Sequence, residues 1–335
     1  MVLDLISLVG GLAVLLLAGD ALVRGSVGLA TKFGVPPMIT GLTIVAFGTS
    51  APELLVSLDS ALDGVGGIAI GNVVGSNIAN VLLVLGLPSL FMATNCGEEG
   101  AGRHALVMMV VTLAFIAFCM FGTIDRMAGI ALIAMLAIFL IDQYRSAMAH
   151  RRETGEDGVK LEELDSAPDK LSIAIFLTII GLIGLPLGAH FTVEGAVATA
   201  RLLGVSDTTI GLTVVAIGTS LPELSATLMA AIRGKGSVAL GNVIGSNIFN
   251  LLAIIGITAV VVPIQVPAEL IAFDLWVMLA AAMFLTAFAY RRERIGPRIG
   301  LGMTSIYVGY IALVATFGSG PAAVQSLSAS MAIFR

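Results

Sequence analysis

Apolar residues in this 335-residue chain run in long unbroken blocks, separated by short charged or Gly/Pro-rich breaks. A helix crosses a hydrocarbon core of about 30 Å with roughly 20 apolar residues, whereas a barrel strand needs only about 10. The blocks here have helical length, which excludes an outer-membrane barrel. Ten spans are expected, near residues 3–30, 38–62, 67–91, 104–122, 125–147, 171–200, 207–231, 237–262, 268–290 and 299–318. The first and sixth are long for a bilayer and should tilt or continue along the interface. The expected fold class is therefore all-α and integral to the membrane, with ten transmembrane helices.

Composition agrees: 58% of residues are hydrophobic and 12% charged, and the mean hydropathy is +1.04, outside the range of soluble domains. The first block lacks a basic flank and carries Asp4, so it should stay as a span rather than be cleaved as a signal. Cys96 and Cys119 have no metal or disulfide spacing and receive no role. One long polar stretch, His150 to Lys170, divides the chain into a first half (1–149), a linker (150–170) and a second half (171–335). With the N-terminus outside, 14 of the 17 Lys and Arg fall in inner loops, and only Arg126, Arg201 and Arg335 fall outside. Retention of basic residues in the cytoplasm predicts that bias, so both termini should face out and the linker in.

GLTIVAFGTSAPELLVS from Gly41 aligns without gaps to GLTVVAIGTSLPELSAT from Gly211, and AIGNVVGSNIANVLLVLG from Ala69 to ALGNVIGSNIFNLLAIIG from Ala239. The offset is 170 in both blocks. Two matches at one offset mark a duplicated unit. Each unit carries five spans, and because five is odd the second copy enters the membrane from the opposite side, giving inverted repeats.

Pro52 has no N–H, so the carbonyl of Gly48 loses its helical partner and the Thr49 turn is displaced; Pro222 does the same to Gly218 and Thr219. Freed carbonyls at membrane depth persist only where they are buried in protein or line a polar cavity. Glu53 and Glu223 follow the two prolines directly, where a lone carboxylate would cost several kcal/mol or more. Two acids, two sets of free carbonyls and one pseudo-two-fold axis suggest a shared cation site at the midplane. The GNVxGSNIxN blocks add Ser76 with Asn80, and Ser246 with Asn250, each pair spaced i, i+4 on one helix face. Gly71, Gly75, Gly241 and Gly245 have the spacing that lets helices approach closely. Every donor is a hard oxygen, which suits Ca²⁺, Na⁺ or Mg²⁺; a dry protein cage favours Ca²⁺ over the reluctantly dehydrated Mg²⁺.

The paired GTSxPEL and GNVxGSNIxN motifs resemble the two α-repeats of the sodium/calcium exchangers, within the cation/Ca²⁺ exchanger superfamily. The resemblance rests on four segments and, through the ten-span inverted arrangement, extends to nearly the whole chain. It implies Ca²⁺/Na⁺ antiport by alternating access, with the first and sixth helices sliding past the other eight. Carried over by position, Glu53 and Glu223 are the Ca²⁺ carboxylates, helped by the Thr49 and Thr219 carbonyls. Ala46, Ser50, Ser76, Ala216, Ser220 and Ser246 contribute to flanking Na⁺ sites. Asn80 and Asn250 take the central positions, one of which is Asp in some relatives, and the all-amide pair puts the Na⁺ stoichiometry in question. The transported ions would be Ca²⁺ and Na⁺; no cofactor and no nucleic acid partner is expected.

A Ca²⁺/H⁺ antiporter of the same fold is the nearest alternative, since desolvated midplane glutamates can carry protons themselves. An intramembrane hydrolase is disfavoured: Ser50 and Ser220 lie beside glutamates, but none of His104, His150 and His190 falls in the motifs. Asp20 with Arg24, and His190 with Glu194, are i, i+4 pairs at repeat-equivalent positions. They suit local charge pairing, or orienting contacts on the sliding helices. The acidic residues Glu98, Glu99, Glu156, Asp157, Glu162 and Glu163 suggest solvated charge rather than a regulatory Ca²⁺ loop.

Overall fold

In a computed structural model describing residues 2–98, 100–154, 168, 170–203 and 218–317, the apolar blocks are helices. The helices are α1 (Val2–Phe33), α2 (Pro37–Thr49), α3 (Ala51–Leu62), α4 (Gly66–Ser89), α5 (Ala101–Cys119), α6 (Arg126–Thr154), α7 (Leu171–Leu202), α8 (Leu221–Ile232), α9 (Gly236–Val261), α10 (Leu270–Tyr290) and α11 (Pro297–Phe317). Among the described residues, eight helices are long and apolar enough to span a bilayer. The pair α2 and α3, bent by 43°, makes a ninth. Of the expected span 207–231, the part before residue 218 lies outside the described residues, and α8 is its visible half. The long first and sixth blocks are single helices of 32 residues, about 48 Å each.

Loop chemistry sets the ends. Gly64 (φ +79°) closes α3 and Gly234 (φ +67°) closes α8. At both ends the next N–H reaches back five residues, Val65 to Ser60 O and Lys235 to Ala230 O at 2.9 and 2.8 Å. That reversal needs a left-handed residue, and only glycine takes it without strain. Two short antiparallel pairs, β1 (Thr94–Asn95) with β4 (Arg294–Ile295) and β2 (Thr123–Ile124) with β3 (Ile264–Gln265), stitch the loops of one repeat to those of the other.

α4 and α9 form the centre. Every residue from Val238 to Phe249 is buried, as an element enclosed on all sides requires. α2 crosses α9 almost backbone to backbone: a Cβ at Gly241 would lie 2.6 Å from the Met38 carbonyl, and one at Gly245 2.6 Å from that of Leu42. The repeat counterparts of those contacts, at Gly71 and Gly75, would fall on positions 208 and 212, outside the described residues.

α1 and α7 form a separate antiparallel pair. A Cβ at Gly11 would come within 2.5 Å of Thr192 N, at Gly25 within 2.5 Å of Thr178 N, at Gly181 within 2.5 Å of Leu22 Cβ, and at Gly188 within 2.7 Å of Leu15 N. In each contact the two residue numbers add to 203, the signature of one antiparallel register. Gly11 and Gly181 are repeat counterparts, so the pair obeys the same pseudo-two-fold axis as the core.

Candidate ion-binding site

The proline in each GTSxPEL motif does more than kink its span. In the first repeat the helix stops at Ser50 (φ −84°, ψ 2°) and restarts at Ala51, placing Pro52 in the first turn of α3. Ser220 (φ −90°, ψ 4°) and Pro222 stand in the same places before and in α8. Glu53 and Glu223 therefore sit in the first turns of half-helices, rather than in the middle of continuous spans. There the positive end of the helix dipole offsets part of the carboxylate's burial cost.

Both carboxyl-bearing residues are fully buried and lie close enough to each other to interact directly. Ser50 Oγ donates to Glu223 Oε1 across the repeat boundary at 3.2 Å. Thr49 Oγ1 is 3.3 Å from Asn242 Oδ1 and 3.5 Å from Ser246 Oγ, joining the first break to α9. Among the described residues no protein donor reaches either Glu53 oxygen, Glu223 Oε2, Asn80 Oδ1 or Asn250 Oδ1. Ser220 Oγ and the Asn80 Nδ2 amide are likewise buried without a partner among the described residues. A cluster of buried, electron-rich oxygens without donors is costly in a protein unless a cation satisfies it.

Of the expected ligands, Glu53, Glu223, Thr49, Ser50, Ser220, Asn80, Asn250, Ser76, Ser246 and Ala46 are all buried, and Thr219 is half-buried at the second break. Ala216 lies outside the described residues. Among those residues no three His, Cys, Asp or Glu side chains come together, so the donors are two carboxylates set among amides, hydroxyls and carbonyls.

Several supporting residues are absent from the sequence-based list. Asn72 Nδ2 donates to the Glu53 carbonyl (3.4 Å) and to Ser57 Oγ (3.1 Å). Its counterpart Asn242 donates to the Glu223 carbonyl (3.4 Å) and Thr227 Oγ1 (3.0 Å). These amides fasten each half-helix to the adjacent central helix. Asn250 Nδ2 donates to Asn77 Oδ1 at 3.1 Å, which turns Asn250 Oδ1 away as the free oxygen, and Asn77 Nδ2 is anchored on the Asn247 carbonyl at 3.2 Å. Asn72 and Asn77 with their counterparts stand inside the repeated GNVxGSN block, so matched amides were the available signal. Asn80 and Asn250 also each open a five-residue π-helical turn, Asn80–Val84 and Asn250–Ile254. Such turns gather at functional sites because they disturb the regular carbonyl ladder.

The sodium/calcium exchanger protein family model matches residues 3–145 and 173–316, the two repeats on either side of the linker. The chain belongs to the sodium/calcium exchanger family. It is 32% identical over 310 residues to the inner membrane protein YrbG of Escherichia coli (strain K12), covering 92% of this chain and 95% of that protein. It is also 32% identical over 336 residues to the sodium/calcium exchanger MaX1 of Methanosarcina acetivorans, covering 91% and 96%. The solved structure of the sodium-calcium exchanger NCX_Mj soaked with Na⁺ and Ca²⁺ superposes with a TM-score of 0.79 at 31% identity, covering 93% of this chain and 98% of that one. The protein is thus an integral membrane ion transporter and not an enzyme, with the two-repeat, ten-helix fold of this family.

Proposed function

We propose that this exchanger moves Ca²⁺ against Na⁺ by alternating access, with Ca²⁺ held between Glu53 and Glu223. The observation that carries the reading is the meeting of two fully buried glutamates at two half-helix starts, among oxygens that no protein donor reaches within the described residues. Two carboxylates balance one divalent cation, and the hard-oxygen set fits Ca²⁺. The carbonyls of Thr49 and Thr219 and the amide oxygens of Asn80 and Asn250 complete its shell. Ala46, Ser50, Ser76 and Ser246, with Ala216 and Ser220 in the second repeat, supply the smaller groups that hold Na⁺. Occupancy by either ion excludes the other through shared oxygens, which couples the two fluxes. The halves 1–149 and 171–335 each contribute one side of the site, joined by a cytoplasmic linker at 150–170. Both termini face outward from the plasma membrane.

One feature supports proton coupling as a second reading. With asparagine at both 80 and 250, the proposed ligands among the described residues include two acids, and two protons would neutralise them as completely as one Ca²⁺. Ca²⁺ uptake into proteoliposomes under separately imposed Na⁺ and H⁺ gradients decides between them. Uptake is expected to follow an outward Na⁺ gradient and to survive collapse of the pH gradient. Uptake driven by the pH gradient alone would replace Na⁺ with H⁺ in the mechanism.

A further inference from the structure

The two ends of the α1/α7 pair are not in equivalent surroundings. α1 is docked on α8: Ser225 Oγ donates to the Leu15 carbonyl, and a Cβ at Gly19 would lie 2.6 Å from Ser225 Oγ. Just past the end of α8, Arg233 Nε donates to Asp20 Oδ1 of α1, and Arg24 lies 3.9 Å from the same carboxylate. The repeat offset of 170 converts this cluster into a second one. Asp20 becomes His190, Arg24 becomes Glu194, Arg233 becomes Asp63, and Ser225 becomes Leu55. The structure holds the equivalence at each place: α3 and α8 end at matched residues with matched glycine reversals, and α1 and α7 share one register.

In the second cluster each acid is replaced by a base and each base by an acid, so the pattern basic–acidic–basic becomes acidic–basic–acidic and hydrogen-bonding complementarity is kept. Yet the second cluster is not assembled. Leu55 is 62% exposed where Ser225 is buried. Asp63 is exposed at the end of α3, and the His190 side chain is 71% exposed, with Glu194 of its own helix 3.9 Å away.

We infer that Asp20–Arg233 and His190–Asp63 are alternate latches, the first closed in this structure and the second closed when the site opens to the opposite face. The glycine-tight α1/α7 pair carries both Asp20 and His190, so it moves as one body and cannot seat both ends at once. The His190 ring can donate a hydrogen bond to Asp63 whether neutral or charged, so the outer contact does not require an imidazolium. His190 and Asp63 together reach less far than Asp20 and Arg233, and outer closure must bring helix and core closer to make the contact. These four residues touch no transported ion; they position the body that gives the ion its exit. The inference rests on the exchange reading only in needing two access states.

Its test reads conformation rather than transport. In the full-length chain with Cys96 and Cys119 replaced by alanine and reconstituted in vesicles, two cysteine pairs are bridged by a short bifunctional methanethiosulfonate: Asp20→Cys with Arg233→Cys, and Asp63→Cys with His190→Cys. Both pairs are expected to bridge. Adding Asp20→Asn to the outer pair should speed its bridging by about threefold or more, the order of a part-exposed ion pair, and Arg233→Gln should do the same. Conversely, Asp63→Asn should speed bridging of the inner pair. An outer pair that does not bridge, or a rate that fails to respond in either arm, overturns the inference. Bridging needs no ion gradient, so a mistaken choice of coupling ion would leave these results unchanged.

Discussion

At the scale of the residue, burial makes each glutamate costly and therefore specific. Neither Glu53 nor Glu223 has a basic side chain among its hydrogen-bonding or ion-pair partners within the described residues; the group that meets Glu223 is the neutral Ser50 hydroxyl. Glu53→Gln and Glu223→Gln keep side-chain volume and remove one charge each, so each should abolish Ca²⁺ transport while the protein elutes as a folded species; substantial residual exchange in either variant refutes the shared site. The fastening amides are tested differently. Asn242 is 1% exposed, donates to the Glu223 carbonyl and Thr227 Oγ1 and accepts from Thr49 Oγ1, so Asn242→Leu removes these bonds inside the core at a cost of about 1–3 kcal/mol. A lowered thermal midpoint together with weaker Ca²⁺ binding is expected. A change in stability with binding intact would make Asn242 a packing residue only.

At the scale of the element, the helical blocks and the matched motifs were legible because span length and repeat identity are local properties of a string. GTSxPEL placed both acids, and proline beside glutamate announced an interrupted helix. The form of the interruption was not legible: whether Pro52 bends a helix or begins one depends on how Ser50 is held by the surrounding helices. The π-helical turns at Asn80 and Asn250 have no compositional mark, since NVLLV and NLLAI are ordinary helical sequence. The α1/α7 interlock is intermediate. Its glycines stand in the sequence, but which of them face the partner is a matter of register. Gly10 and Gly11 show the difference: among the described residues nothing lies within 4 Å of a Cβ at Gly10, whereas one at Gly11 would press on Thr192 N. Gly11→Leu should therefore force the pair apart, beyond the roughly 1–3 kcal/mol typical of an overpacked core, and lower transport at least tenfold. Gly10→Leu, one residue away on the outward face, should transport at close to the wild-type rate. Equal loss in both would place the sensitive surface elsewhere.

At the scale of the whole molecule, two copies of one unit build a site whose charge is set by the sum of both. In the proposed site Glu53 and Glu223 supply about −2 when ionised, which would balance one Ca²⁺ but would leave three Na⁺, were they bound together, with an uncompensated charge in a low-dielectric interior. Under the proposed exchange, occupancy by fewer Na⁺, or a weak third position, is the expected outcome. Asn250→Asp tests this, and the structure sharpens what to expect. Asn250 now donates to Asn77 Oδ1. The new acid can keep that bond only through its own O–H, while its ionised form requires the Asn77 amide to turn and abandon the Asn247 carbonyl. Ionisation is thus opposed by one lost hydrogen bond and favoured by each Na⁺ that enters. The substitution should steepen the Na⁺ dependence of Ca²⁺ efflux, or raise apparent Na⁺ affinity, at alkaline pH, and the gain should fade as the medium is acidified. Efflux from vesicles loaded with Ca²⁺, measured against external Na⁺ at two pH values for both proteins, reads the effect directly. Identical curves at both pH values, from a folded variant, would mean that Asn250 does not face the ions and that the charge of the site is not what limits Na⁺ occupancy.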